Sequence, residues 1–148
     1  MAINTKKVLF GGIAAAVVLN LIDWVTYGKV LTARMAAETD AFKPGLSASM
    51  MSGNAITVYV ITDIVFGILL VWTYAAMRPR FGAGPGTAIR VGALFWILWA
   101  LFSASFLIMG MESMGLYLTT LCIGLVNFLI ASVVGAMIYT EDGGAAAA

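Results

Sequence analysis

Four segments almost free of charge, at 8–27, 54–77, 91–111 and 115–139, each reach or approach the ~20 apolar residues that carry a helix through a bilayer. Composition points the same way: 62% of the 148 residues are hydrophobic and 10% charged, against roughly 25% charged in a soluble domain. A soluble chain of this makeup would leave much of its apolar surface in water. The expected fold is therefore all-α, a single four-helix transmembrane bundle over 1–140. A structured external segment is expected at 28–53 and a mobile low-complexity tail at 141–148.

Composition also removes several chemistries. The chain has no histidine, so imidazole-ligated haem, zinc or chlorophyll and a Ser-His-Asp triad cannot be built from it alone. Its one cysteine, Cys122, forms no internal disulfide. A net charge of +1 without a dense basic face argues against a nucleic-acid partner.

Basic residues set the expected orientation. Lys6 and Lys7 precede the first segment, and Arg78, Arg80 and Arg90 flank the second connection, so the positive-inside rule makes both cytoplasmic. Both termini then lie inside. Small Ala14, Ala15 and Ala16 fall mid-segment and bulky Leu21, Ile22 and Trp24 follow, which reads as a retained helix rather than a cleaved signal. The RPRFGAGPGT run at 78–87 reads as a tight hairpin that ends the second helix, its Arg78, Arg80 and Arg90 touching lipid phosphates. Its glycines follow no strand, so they are not a dinucleotide fingerprint. In the long external connection, Val30, Leu31 and Met35 recur at helical spacing. They suggest an interfacial helix ending before Lys43-Pro44-Gly45.

Asp23 and Asp63 are the residues out of place, since an aspartate near the bilayer centre costs ~2.5–3.5 kcal/mol on insertion scales. Both fall in the outer half, at similar depth, with no lysine or arginine in the helix cores to neutralise them. Gly12, Ala16, Asn20, Asp23 and Tyr27 share one face of the first helix, and Thr120, Gly124, Asn127, Ala131 and Gly135 one face of the fourth. Two expectations follow. Gly12, Ala16, Gly124, Ala131 and Gly135 bring helices close, and Asn20, Asp23, Asp63 and Asn127 form an intramembrane polar cluster in which Asn20 and Asn127 pair as amides. Trp24 and Trp72 read as interface anchors. Trp96 and Trp99, with Phe95, Phe102 and Phe106 nearby, read as a packing or lipid-facing stripe on which a lipid-soluble pigment or quinone also fits.

The runs NTKKVLFGGIAA at 4–15, DWVTYG at 23–28 and AAMRPRFGAGPGTAI at 75–89 resemble a group of small bacterial four-helix integral membrane proteins. The resemblance spans essentially the whole chain, and its most distinctive part is the Arg-Pro-Arg-Phe-Gly-x-Gly-Pro hairpin. It implies a multi-pass protein of the bacterial inner membrane, and it transfers no catalytic or binding residue.

Neither nucleophile nor metal set accompanies the two carboxylates, so the chain is expected not to be an enzyme. The first functional expectation is an accessory or scaffold subunit that associates with lipids, other membrane subunits or itself and needs no cofactor. The alternative is a small proton- or cation-linked carrier or channel using Asp63 and Asp23.

Overall fold

Helix α1 (Thr5–Val25) starts where the Asn4 side chain accepts the N–H of Lys7 at 3.1 Å, filling one of the donors a helix N-terminus leaves open. The computed structural model describes residues 3–140, and the tail expected to be mobile at 141–148 lies outside the described residues. α1 runs on without a break into a π-helical turn (Thr26–Val30), closed by the bond from the Leu31 N–H to the Thr26 carbonyl at 2.7 Å. Two short helices follow, α2 (Thr32–Phe42) and α3 (Leu46–Met50). They are hinged at Gly45, whose φ of 82° suits only a residue without a side chain. Three long helices complete the described residues: α4 (Gly53–Phe81), α5 (Pro85–Ile108) and α6 (Met114–Ile138). Among the described residues, four helical stretches are long and apolar enough to cross a membrane: Thr5–Val30, α4, α5 and α6.

The second connection differs from expectation. α4 does not stop near Met77 but continues through Pro79 to Phe81, and α5 begins at Pro85, so the turn shrinks to 82–84. Pro79 stands in the last turn, where its missing N–H forfeits a single helical bond, and Pro85 stands at a helix start, where the N–H has no partner to lose. Gly82 and Gly84, at φ 82° and 120°, make the reversal. The Tyr74 hydroxyl pins it by accepting the Gly84 N–H at 2.9 Å, and the Thr87 hydroxyl donates to the Gly82 carbonyl at 2.8 Å. At 29 residues, α4 is about 43 Å long at 1.5 Å per residue, well beyond the ~30 Å hydrocarbon layer.

The helices alternate in direction, with α1 packed on α4 and α6, and α5 on α6. Contact depends on missing side chains. A Cβ on Gly12 would come within 2.7 Å of the Ile68 Cα, one on Gly67 within 2.7 Å of the Ala16 nitrogen, and one on Gly92 within 2.8 Å of the Phe128 carbonyl. Gly135 fits against Val71 and Ala15, Gly124 beneath the Trp99 ring, and Ala131 is fully buried. Lipid tails are as apolar as leucine, so this close approach, with a few hydrogen bonds, holds membrane helices together. Three such bonds join α5 to α6: the Ser132 hydroxyl donates to the Ala88 carbonyl at 2.7 Å, the Trp96 indole N–H to the Leu121 carbonyl at 2.9 Å, and the Tyr117 hydroxyl to the Ala100 carbonyl at 3.2 Å. The apolar core gathers toward the end carrying the termini, around Ala15, Leu70, Val71, Tyr74, Val91 and Ala131. Toward the other end α4 leaves its neighbours. Every residue from 56 to 62 is exposed, two turns in succession.

Candidate functional site

The polar residues meet where the packed half gives way to the open half. Asn127, buried on α6 with 4% of its surface accessible, donates its amide nitrogen to the Asp23 carboxylate at 2.7 Å. Asp63, on α4 one turn before Phe66, lies within electrostatic reach of Asp23, and Tyr27 within reach of both. All three are half-buried. Tyr27 belongs to the π turn, whose widened geometry frees its carbonyl to accept the Thr32 hydroxyl at 2.7 Å. On the side of the termini the cluster rests on aromatic rings. Phe66 meets Phe95 and Phe128 edge-on at 6.2 and 5.8 Å, and Trp99 tilts against Phe128 at 6.4 Å.

Asn20 does not join this cluster. Its amide nitrogen donates to the Ala16 carbonyl one turn back at 3.0 Å, so the expected Asn20–Asn127 pair is absent and Asn127 turns to Asp23 instead. The reason is geometric. With α4 pressed to α1 at Gly12 and Gly67, Asn20 sits in a groove between those two helices, beside Ala16, Val17, Val60 and Ile64, away from α6.

The aromatic stripe of α5 also divides. Phe95, Trp96 and Trp99 pack inward, whereas Phe102 is exposed and stacks edge-on with Phe106 at 5.6 Å on the outer surface. Trp24 and Trp72 are exposed, and the Lys29 ammonium lies 5.1 Å over the Trp24 ring. Among the described residues no group of three His, Cys, Asp or Glu side chains could hold a metal ion. The oxygens of Asp23, Asp63 and Asn127 suit at most a hard cation.

A second constellation closes the end opposite the termini. Ser113 caps α6 by accepting the Leu116 N–H at 3.2 Å. Glu38 of α2 accepts both the Ser113 N–H at 2.5 Å and the Ser113 hydroxyl at 2.9 Å, and it pairs with Arg34 at 3.2 Å. Burial pushes the Glu38 carboxyl up, but the Ser113 bonds and then Arg34 outweigh it and hold the group below the usual carboxylate range. Neighbouring Glu112 goes the other way, raised by burial and then by the Glu38 charge. Within the α2–α3 segment, bonds from the Ser47 hydroxyl and N–H to Asp40, at 2.6 and 2.9 Å, hold that carboxyl low. Sequence reasoning missed the Glu38–Ser113 latch, because 75 residues separate its halves. Its legible traces are an i,i+4 Arg34–Glu38 pair and a serine just before a helix.

At the end carrying the termini, the three arginines are not alike. Arg80 and Arg90 are exposed, Arg90 lying 5.2 Å over the Phe81 ring. Arg78 is drawn inward and lies 5.5 Å over Tyr139, itself edge-on to Tyr74 at 6.0 Å.

Four spanning helices around a polar cluster define a helical, multi-pass membrane protein. No protein-family model, curated protein or solved structure matches the chain.

Proposed function

We propose that the protein is non-catalytic and works by association, as an accessory or scaffold subunit of a larger assembly in the bacterial inner membrane. The observation that carries this reading is the free stretch of α4. A helix at the rim of a bundle ordinarily buries one face on its neighbours, yet each of residues 56–62 is exposed, Thr57, Tyr59 and Thr62 among them, and Val60 only borders the groove against α1. Interfaces between membrane helices use such hydroxyl-bearing residues, and a helix standing clear of its own bundle offers them to another. On this reading the occupant is a transmembrane helix of another subunit, and the chain needs no cofactor of its own. The exposed outer face of α5, with Leu98, Leu101 and Phe102, is left to lipid. Five cations, Lys6, Lys7, Arg78, Arg80 and Arg90, gather at the end that carries the termini, which supports a cytoplasmic position for that end.

The test is gentle extraction from the native membrane followed by native mass spectrometry, with a photo-crosslinking amino acid at position 58 or 61 and, for comparison, at position 130 on α6. The 15.6 kDa chain is expected within a larger stoichiometric complex, cross-linked to one discrete protein from α4 and not from position 130. A free chain with only lipid adducts at all three positions would remove the association reading.

A further inference from the structure

The Asn127 amide is left incomplete. The amide nitrogen is spent on the Asp23 carboxyl, so its oxygen has to find another partner. That oxygen, on a side chain 96% removed from solvent, has no hydrogen-bond partner. An unsatisfied buried acceptor is unfavourable by ~1–3 kcal/mol and is rare in folded proteins. Electrostatics show a second deficit at the same place. The Asp63 charge reaches Asp23, and the charges of Asp23, Glu112 and Asp63 reach Tyr27, while none of the described lysines and arginines lies in the middle of a span. A group that supplied positive charge and accepted an amide oxygen as ligand would answer both. Soft or borderline transition metals want sulfur or imidazole, which the cluster lacks, whereas hard cations take carboxylate and amide oxygens.

We propose that Asp23, Asp63 and the Asn127 amide oxygen bind one hard monovalent cation of the alkali-metal class, at the level where α4 departs from the bundle. Asn127 then serves two partners, its nitrogen holding Asp23 and its oxygen the ion. Asp63 supplies the second carboxylate from α4, the helix whose residues are exposed beyond this level. The site lies within one chain and does not rest on the association reading. A proton on Asp23 could also satisfy the amide oxygen by donating to it, so the test sets alkali cations against pH.

Purified full-length protein in zwitterionic-lipid nanodiscs is unfolded thermally in lithium, sodium, potassium or choline chloride at fixed ionic strength, from pH 6 to pH 9. One alkali cation is expected to raise the midpoint saturably above the choline value. Asp63→Asn, which keeps the side chain's size, is expected to weaken the apparent affinity about tenfold or more, the loss that follows from removing one charged ligand. Asn20→Ala, outside the cluster, is expected to keep the wild-type response. Sodium-23 linewidths on the wild-type chain give a readout that needs no variant, with broadening relieved by excess of the preferred cation. Midpoints equal in all four salts overturn the proposal, as do midpoints that follow pH alone, which would mean that a proton closes the Asp23–Asn127 pair. An Asp63→Asn chain with unchanged cation response overturns the two-carboxylate site.

Discussion

Helix α4 is two different objects along its length. From Gly67 to Ala75 it is built into the core, with Gly67, Leu70, Val71, Tyr74 and Ala75 all buried; from 56 to 62 every residue is exposed, with Val60 only bordering the groove that holds Asn20. Hydrophobicity does not distinguish them, since Val58, Val60 and Ile61 are as apolar as Leu70 and Val71. The difference is the glycine. Gly12, Ala16 and Gly67 let two backbones approach, and where α4 has only branched and aromatic residues it stands away. In a bilayer, apolar side chains are content with lipid, so shape rather than hydrophobicity decides which stretch is packed. The polar cluster sits at the junction, on the last turn before α4 comes free.

The largest effect comes from closing the difference in the packed half. Gly67→Leu places a side chain where even a Cβ would come within 2.7 Å of the Ala16 nitrogen, a backbone atom that cannot give way. The loss is expected at or above the ~1–3 kcal/mol typical of overpacked cores, read as unfolding in mixed micelles. A Gly67→Leu chain as stable as wild type would mean that the two helices are not held by this approach. Asn127→Leu, at the junction, removes the donor to Asp23 and is expected to weaken the fold by ~0.6–2 kcal/mol, the range for hydrogen bonds between membrane helices. Undiminished thermal stability would detach Asn127 from the packing of α1 and α6.

Smaller again is the latch. Glu38→Gln breaks the Arg34 ion pair and weakens the hold on Ser113, both near water, for less than ~1 kcal/mol. The readout is hydrogen exchange, faster in α2 and in the first turn of α6, with the rest unchanged. The same latch gives a pH dependence. The Glu38 carboxyl is held low in the folded state, so its contribution is complete at neutral pH and is lost as pH falls through that lowered range. Exchange in α2 that is indifferent to acid would show that the segment is held by its apolar contacts alone.

Much of the scaffold was legible from the residues. Four nearly charge-free runs gave four spans, and Lys43-Pro44-Gly45 marked the end of α2, because proline and glycine act locally. The stripes through Gly12 and Ala16 and through Gly124, Ala131 and Gly135 marked contact faces because helical periodicity needs no partner to be read. Gly67, which meets the first of these stripes, and Gly92, which lets α5 close on Phe128, went unremarked, since a lone glycine in an apolar helix carries no periodic signal. The same limit explains Asn20. Its face was readable, but the partner on that face depended on which helix glycine lets closest, and that is set by α4. Glu38 and Ser113 meet only once α2 folds over the bundle end, a tertiary event whose local traces, the Arg34–Glu38 spacing and a serine before a helix, do not name each other as partners.

The smallest effect on the isolated chain is also the sharpest test of what the difference within α4 is for. Ile61→Ala in the free stretch should change the thermal stability of the purified protein by less than ~0.5 kcal/mol, because the side chain is 54% exposed and exchanges lipid contact for lipid contact. Ile68→Ala, seven residues on and two helical turns closer to the packed end, removes a side chain that lies against Gly12 and should destabilise measurably. If the free stretch exists for a partner helix, Ile61→Ala then weakens recovery of the native complex while leaving the free chain intact, and Ile68→Ala does the reverse. Equal losses of complex and of stability in both variants would mean that α4 is one packed helix throughout, and that its exposed turns have no separate role.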